Sequence, residues 1–207
     1  ADIITASAGT SNFRAGVNAG NSIVSGGDKN TVVGDEAGTA INTGDFNTAL
    51  GFEAGHDITT GSANTIIGGL AGDKLIDASY NVAIGSGAIG ADTKGSKSIA
   101  IGYNSLVTQN FTSATDTFNV AIGFEAGKAV TTGVSNTFIG GLAGDALDTG
   151  GFNVAVGRST LTTDVKGSKS TAIGFGTLRA QTFSGATDTM NTAVGFEAGN
   201  DITSGIN

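Results

Sequence analysis

A five-residue phrase recurs ten times along this chain at nearly constant spacing. It consists of Asn or Ser, two small or branched residues, an aliphatic residue and Gly. Its glycines are Gly34, Gly51, Gly68, Gly85, Gly102, Gly123, Gly140, Gly157, Gly174 and Gly195. A 17-residue interval separates them, lengthened to a 21-residue interval after Gly102 and Gly174, so four units form a 72-residue block with one insertion. Such a repeat indicates an array in which each unit packs on its neighbours.

The phrase has the two-residue period of a β-strand, not the 3.6-residue period of a helix. We therefore predict an all-β fold, a parallel β-solenoid or β-roll with one 17-residue coil per unit and equivalent residues about 4.8 Å apart. The residue before each glycine is a branched aliphatic, and we assign this position to the structural core. It comprises Val33, Leu50, Ile67, Ile84, Ile101, Ile122, Ile139, Val156, Ile173 and Val194.

The asparagines that open the phrase would stack on one another in a parallel solenoid. We predict a side-chain amide ladder, because stacked Asn side chains hydrogen-bond along the stacking direction and Asn tolerates the bend that starts a strand. The ladder comprises Asn30, Asn47, Asn64, Asn81, Asn119, Asn136, Asn153 and Asn191. Binding of a ligand by these residues is the alternative.

The centre of each strand is also apolar, where a strand with one face in water should be polar. It is Ala in most units and is larger at Val32, Ile66 and Phe138. Both faces therefore need cover, and one coil covers only one, so we predict a homo-oligomer. Alternatively, the Ala face points into a roll too thin for larger side chains, and the aliphatic face meets the partner. The pattern alone does not decide which face lies inside the roll and which face meets the partner.

Composition limits the possible partners and organisation. The net charge is −8 and the pI is near 4.4, which disfavours nucleic acid as a partner. We expect no direct membrane insertion, since no apolar run approaches the roughly 20 residues of a spanning helix. We predict an N-terminal irregular or degenerate coil over residues 1–29 and a continuous array over residues 30–207. The array stops midway through a unit, so we expect a segment of a longer chain.

Two stretches carry a resemblance to known families. Residues 98–105, SIAIGYNS, resemble the core of the head repeats of trimeric autotransporter adhesins. The units of the form NTALG at residues 47–51, with TTG at 59–61 and 131–133, are similar to repeat arrays of bacteriophage tail fibres. The resemblance implies a left-handed parallel β-roll, three copies side by side, in an extracellular fibre on a virion or cell surface. This unit is longer than that of the adhesin heads, and the 21-residue interval departs from both groups.

The two insertions are the candidate receptor-contact loops, at residues 109–117 and 181–189. Phe111 and Phe183 could stack on a sugar of a host-cell glycan, with neighbouring hydroxyls and carboxylates binding it. Alternatively, each Phe folds back over a coil edge and the polar residues form ordinary turns. The residues concerned are Gln109, Phe111, Thr112, Asp116, Gln181, Phe183 and Asp188. A protein receptor is the alternative to a glycan at these loops.

Charged residues recur in register and predict ladders of opposite charge, with an anion site as the less favoured alternative. Lys94, Lys97, Lys166 and Lys169 follow one turn after Asp73, Asp77, Asp145 and Asp148. Glu36, Glu53, Glu125 and Glu197 are expected to be solvated edge charges. The single His56 is replaced by Lys128 and Asn200 in equivalent positions, so a catalytic imidazole is not expected.

We predict no enzyme, no metal and no cofactor, because the chain has neither a Cys/His cluster nor a phosphate-binding loop. The predicted function is a structural and adhesive fibre segment, the rigid shaft or head of a phage tail fibre or bacterial adhesin. A self-assembling extracellular filament is the alternative. An ice-binding solenoid and a polysaccharide-cleaving tailspike are less favoured.

Overall fold

In a computed structural model, which describes residues 3–4 and 8–206, all regular structure is β. The first half contains β1 (Ile3–Ile4), β2 (Phe13–Ala15), β3 (Thr31–Val33), β4 (Thr48–Leu50), β5 (Thr65–Ile67), β6 (Val82–Ile84), β7 (Gly95–Ser96) and β8 (Ile99–Ile101). The second contains β9 (Thr115–Asp116), β10 (Val120–Ile122), β11 (Thr137–Ile139), β12 (Val154–Val156), β13 (Gly167–Ser168), β14 (Thr171–Ile173), β15 (Thr187–Asp188) and β16 (Thr192–Val194). These residues include no helix that could cross a membrane.

The chain forms a parallel β-solenoid that divides into two compact units. The first comprises the described residues up to Ser98 with Asn110–Asp116, and the second comprises Ile99–Gln109 with residues 117–206. Strands β2 to β6 pair in parallel in the first unit, and β1 pairs antiparallel with β2. Strands β8, β10, β11, β12, β14 and β16 pair in parallel in the second. Each of these eleven parallel strands belongs to one turn of the solenoid.

The strand register reproduces the repeat length. Thr48 lies opposite Thr65, which is a 17-residue shift, whereas Thr171 lies opposite Thr192, which is a 21-residue shift. The extra residues of the two insertions form short parallel pairs of their own, β7 with β9 and β13 with β15. The insertion therefore leaves the main ladder in step with the neighbouring turns.

The array begins earlier than residue 30. Residues 12–16, Asn-Phe-Arg-Ala-Gly, match the phrase, and β2 within them pairs with β3. Asn12 behaves as a ladder asparagine: its Nδ2 donates to the Gly27 carbonyl at 2.7 Å, and its Oδ1 accepts from the Asn30 amide at 2.8 Å. Within residues 1–29, the described part from Asn12 onward thus contains a full turn.

The centre of each strand, not the residue before the glycine, faces the interior. Ala49, Ala121 and Phe138 are fully buried, as are the other strand centres from Val32 to Ala172. The predicted core position points outward, and its assignment to the core of the single chain is wrong. Five of its members are half-buried and five are exposed; together they are Val33, Leu50, Ile67, Ile84, Ile101, Ile122, Ile139, Val156, Ile173 and Val194.

Interior width is the physical reason for this reversal. The strand centre shares the inside of each turn with two further positions, for example Ala37 and Ile41, both fully buried. A close-packed interior of this size leaves room for Ala at most strand centres. Phe138 fits because Gly127 and Gly144 flank its ring: a Cβ on either glycine would lie 2.8 Å or 2.5 Å from a ring carbon.

The predicted asparagines are buried and connect successive turns. In the second unit, the Nδ2 of Asn136 donates to the Gly150 carbonyl at 2.9 Å, and its Oδ1 accepts from the Asn153 amide at 3.0 Å. Direct amide-to-amide bonds occur in only some turns, as from Asn64 to Asn47 at 3.0 Å. Most rungs thus satisfy backbone groups of neighbouring segments, which a buried turn cannot leave unpaired.

Candidate interaction surfaces

The outward side of the strands forms a surface that we call the outer face. In β3 to β6, β8, β10 to β12 and β14, the first and third residues point outward on either side of the buried centre. The third residue is the aliphatic described above; Leu50 is 45% exposed and Ile139 is 38% exposed. The first residue is Thr, Val or Ile in β3 to β6 and in the six parallel strands of the second unit. Each unit therefore presents water with a stripe of branched side chains.

From the turn of Asn30 onward, two columns of side chains border the outer face. The leading column precedes the ladder position and contains Lys29, Phe46, Ala63, Tyr80 and Lys97 in the first unit and Phe118, Ser135, Phe152, Lys169 and Met190 in the second. The trailing column follows the phrase glycine and contains Asp35, Phe52, Gly69 and Ser86 in the first unit and Tyr103, Phe124, Gly141, Arg158, Phe175 and Phe196 in the second. Large apolar members of both columns, such as Phe46 and Phe52, are about half exposed or more, except Phe175, which is 38% exposed.

Side chains within each column contact one another from turn to turn. In the trailing column, the rings of Tyr103 and Phe124 stack with centroids 5.5 Å apart, and those of Phe175 and Phe196 lie 5.3 Å apart. In the leading column, the Lys29 ammonium lies 4.7 Å from the centre of the Phe46 ring. Such contacts preorganise the columns without covering their outward surfaces.

The predicted receptor loops are largely internal. Gln109 and Gln181 are fully buried, Phe111 is 7% exposed and Phe183 is half-buried. A receptor contact by Gln109, Gln181 or Phe111 is therefore contradicted, and the alternative of a Phe folded over the coil describes Phe111. Thr112, Asp116 and Asp188 are exposed at the surface.

A buried polar network explains why these glutamines point inward. Gln181 Nε2 donates to Asp164 Oδ2 at 2.5 Å and to Ser170 Oγ at 3.1 Å, and its Oε1 accepts from Asn191 Nδ2 at 2.7 Å. Asp164 Oδ1 accepts from the backbone amides of Gly167 and Phe183 at 3.0 and 3.1 Å. The network fixes the start of the insertion to the inside of the roll, because the side-chain bonds of Gln181 are buried.

Asp164 and Gln181 of this network occupy a turn position that is apolar in other turns, for example at Ile41. A turn such as that of Ile41 has Gly38 at the preceding corner, where a Cβ would lie 2.6 Å from the Ile41 Cδ1 atom. Four turns reverse this arrangement: a large apolar residue takes the corner and an acid or amide follows three residues later. The pairs are Ile89 with Asp92, Leu106 with Gln109, Leu161 with Asp164 and Leu178 with Gln181, all fully buried. This exchange was a sequence signal for burial that the loop interpretation missed.

Charged ladders form as predicted in one place and differently in others. Lys94 Nζ lies 3.9 Å from Asp77 on the preceding turn. Lys97 and Lys169 instead pair with Asp116 and Asp188 of the insertions, at 2.5 and 2.6 Å. These exposed pairs contribute on the order of 0–1 kcal/mol each and mainly orient the insertions.

The remaining charged residues make edge contacts. His56 Nε2 lies 3.6 Å from Glu36, and His56 Nδ1 lies 2.6 Å from Asp57. Lys128, at the equivalent position, pairs with Glu125 at 3.0 Å. Asp148 accepts a hydrogen bond from the Thr131 hydroxyl. Across the described residues, no three His, Cys, Asp or Glu side chains are grouped to hold a metal ion.

Two equivalent carboxylates differ in their environment. Asp73 lies 3.3 Å from Lys74, and the hydrogen bond that the Lys74 ammonium donates to this carboxylate raises the pKa of Lys74. Asp145 is the matching residue one block later, where Ala146 replaces the lysine. Burial raises the pKa of Asp145, with a smaller contribution from Glu125, and its Oδ1 atom has no hydrogen-bond partner.

The part of the chain that the structure describes has no pocket. Its candidate interaction regions are the outer face with its two columns and the exposed tips of the insertions. No family model, curated protein or solved structure matches this chain.

Proposed function

We propose that the chain is a structural and adhesive fibre segment: a left-handed β-roll in 72-residue blocks that assembles side by side as a homotrimer. It would serve as an extracellular shaft or head, on a phage tail fibre or a bacterial surface adhesin. The observation that supports this most strongly is the outer face. It is an ordered stripe of branched aliphatics flanked by aromatic columns, on a chain whose interior is already full.

Burial of the outer face supplies the driving force for association. Fully burying one Val, Leu or Ile side chain contributes roughly 1.5–3 kcal/mol. Leu50, Ile122, Ile139, Ile173 and Val194 each retain more than a third of their exposure in the single chain. Exposed apolar patches of this continuity mark interaction surfaces. A closed ring of three copies would hide all three faces without leaving one open to further copies.

The turn architecture suits mechanical presentation. Successive turns are joined by a parallel ladder and by the buried asparagines, so each turn is held along its length. The insertions emerge from this scaffold with Thr112, Asp116 and Asp188 exposed. We place receptor contact, to a host-cell glycan or protein, at these tips and not at the buried glutamines.

The first experiment measures the native mass of the segment by light scattering. We expect a trimer, and the double variant Leu50→Thr with Ile139→Thr should shift the protein toward monomer while keeping its β circular dichroism. The control variant, Val24→Thr with Ile76→Thr, changes equally exposed aliphatics outside the outer face and should stay trimeric.

A wild-type monomer at tens of micromolar would overturn the proposal. Mass that keeps growing with concentration beyond three copies would indicate a filament subunit instead. Dissociation of the control variant to the same extent would show that the outer face has no special role.

A further inference from the structure

We infer that the two borders of the outer face recognise each other between copies: the leading column of one copy contacts the trailing column of the next, turn by turn, with parallel chains in register. This rests on the proposed side-by-side assembly and adds which residues meet, in which direction and at which height. The partner is a second copy of this chain.

Symmetry gives the pairing rule. A closed ring of parallel copies is related by rotation without translation, so each turn lies level with the same turn of its neighbour. Rotation also places the opposite borders of adjacent faces against each other. A leading residue therefore meets the trailing residue that lies six positions later in its own sequence, such as Lys29 with Asp35. An antiparallel two-fold pair would instead bring leading columns together.

The charged members of the columns fit this rule. Lys29 would meet Asp35, an opposite-charge pair with both residues exposed. Phe152 would meet Arg158, which is a cation against a ring. No like charges face each other in the nine turns whose two column residues lie within one unit. Complementary contacts of this kind set register and direction more than they add affinity.

Side-chain size follows the same rule. Ala63 would meet Gly69, and Ser135 would meet Gly141, so the smallest residues of both columns fall in the same turns. Large residues also coincide: Phe46 would meet Phe52, and Phe118 would meet Phe124. At these four turns the two borders widen and narrow together, and ring pairs at one level can spread into the space left at the next. Aromatic pairs contribute about 0.5–1.5 kcal/mol beyond their buried area.

Backbone conformation indicates that the leading rings serve something outside the single chain. Every leading position has φ in the left-handed region; at Phe46, Tyr80 and Phe152 it is 57°, 61° and 61°, and all three rings are more than half exposed. A bulky residue there costs roughly 1–2 kcal/mol, and Gly would adopt the same φ at no steric cost. Since these rings contribute nothing to the interior, contact with a neighbouring copy accounts for their presence.

Cysteine cross-linking tests the pairing, since the natural chain contains no cysteine. In the variant Ala63→Cys with Gly69→Cys, both substitutions fit: Ala63 already carries a Cβ, and a Cβ on Gly69 would have the Phe52 carbonyl oxygen at 3.9 Å as its nearest neighbour. Within one chain the two cysteines are separated by a strand, on the order of 20 Å at the strand rise. A short bismaleimide should therefore link copies and give a covalent trimer on a denaturing gel.

Matched variants make the result specific. Ala63→Cys with Asp35→Cys uses the same two columns two turns apart, roughly 10 Å out of register by strand spacing, and should link at least fivefold less. Ala63→Cys alone should not link. Ser135→Cys with Gly141→Cys repeats the in-register test in the second unit and serves if the first variant folds poorly.

The outcomes separate this inference from the proposed function. A covalent trimer supports both. A native trimer in which neither in-register variant cross-links overturns the column pairing and leaves the proposed assembly standing. Efficient linking by Ala63→Cys alone indicates antiparallel copies and overturns the inference. A covalent dimer from the in-register variants supports the pairing but contradicts three-fold assembly, and a native monomer overturns both.

Discussion

At the scale of single residues, position in the turn decides more than residue type. Gln109 and Gln181 stand in loops rich in Thr, Ser and Asp, yet both are fully buried. Gln181 supplies the amide that the ladder lacks where Ser170 replaces Asn. The Gln181 amide bonds to Ser170 and Asn191. The amide of the Ser170 rung therefore comes from a different position in the turn. A polar residue in an insertion is therefore not by itself a surface residue.

Asp145 gives a residue-scale prediction with a defined pH dependence. Because its pKa is raised in the folded protein, the folded state binds this proton more tightly, and the free energy of unfolding falls as pH rises through that pKa. The penalty is complete above the folded pKa and absent below the unfolded one. Asp145→Asn should therefore raise the free energy of unfolding at pH 7, by less than about 1 kcal/mol for a half-exposed group. Below about pH 3 the gain should vanish.

The matched variant for this prediction is Asp73→Asn. It removes the partner of Lys74 and should lower the free energy of unfolding at pH 7, the opposite sign. Urea unfolding of both variants and the wild type at pH 7 and pH 3 measures the difference. Stabilisation of similar size by both variants would show that their environments do not differ in the way described.

At the scale of the strand, the inner and outer residues have separate roles. Phe138 and Ile139 are adjacent in β11, but the first fills the interior and the second lies on the outer face. Phe138→Ala should lower the free energy of unfolding by about 3–5 kcal/mol, since it leaves a cavity between Gly127 and Gly144. Ile139→Ala should leave the fold intact and raise the fraction of dissociated chain.

Circular dichroism with urea titration measures the first effect, and sedimentation over a concentration series measures the second. The two variants act as controls for each other, because each changes one neighbouring apolar residue of the same strand. Equal loss of folded structure in both would contradict the division between an interior centre and an outward third residue.

Strand type, turn length and the asparagine ladder could be predicted from the sequence because each follows from a period that many residues share. The direction of each strand face could not. Ile139 and its equivalents look more like core than Ala121 does, and a two-residue period is unchanged when the faces are exchanged. The width of the interior decides which strand face points inward, and that width depends on Ile41, Phe138 and the corner residues together. The exchange at Leu161 and Asp164 has the same cause. Neither residue alone predicts that both are buried, and only the pair together does so.

At the scale of the whole molecule, the phase of the repeat matters more than its length. Deleting residues 124–195 removes one complete 72-residue block and joins Gly123 to Phe196, which restores the Gly-Phe-Glu-Ala-Gly sequence found at residues 51–55. Solenoid stability is close to a sum over turns and their nearest-neighbour contacts. The shortened chain should therefore fold, with the same ellipticity per residue and the same number of copies per assembly.

The control deletion removes four residues fewer than the block deletion, which is the length of one insertion. Removing residues 124–191 takes out four 17-residue lengths, but it joins Gly123 to Thr192 and leaves the following phrase out of phase with the turns before it. We expect residues 192–207, the partial turn that remains after the junction, to lose their place on the solenoid, because a shifted register turns buried positions outward. The 72-residue deletion leaves about two-thirds of the chain, and its urea m-value should fall in the same proportion. Folding of both deletions to the same extent would contradict a block in which each 21-residue interval belongs to a particular turn.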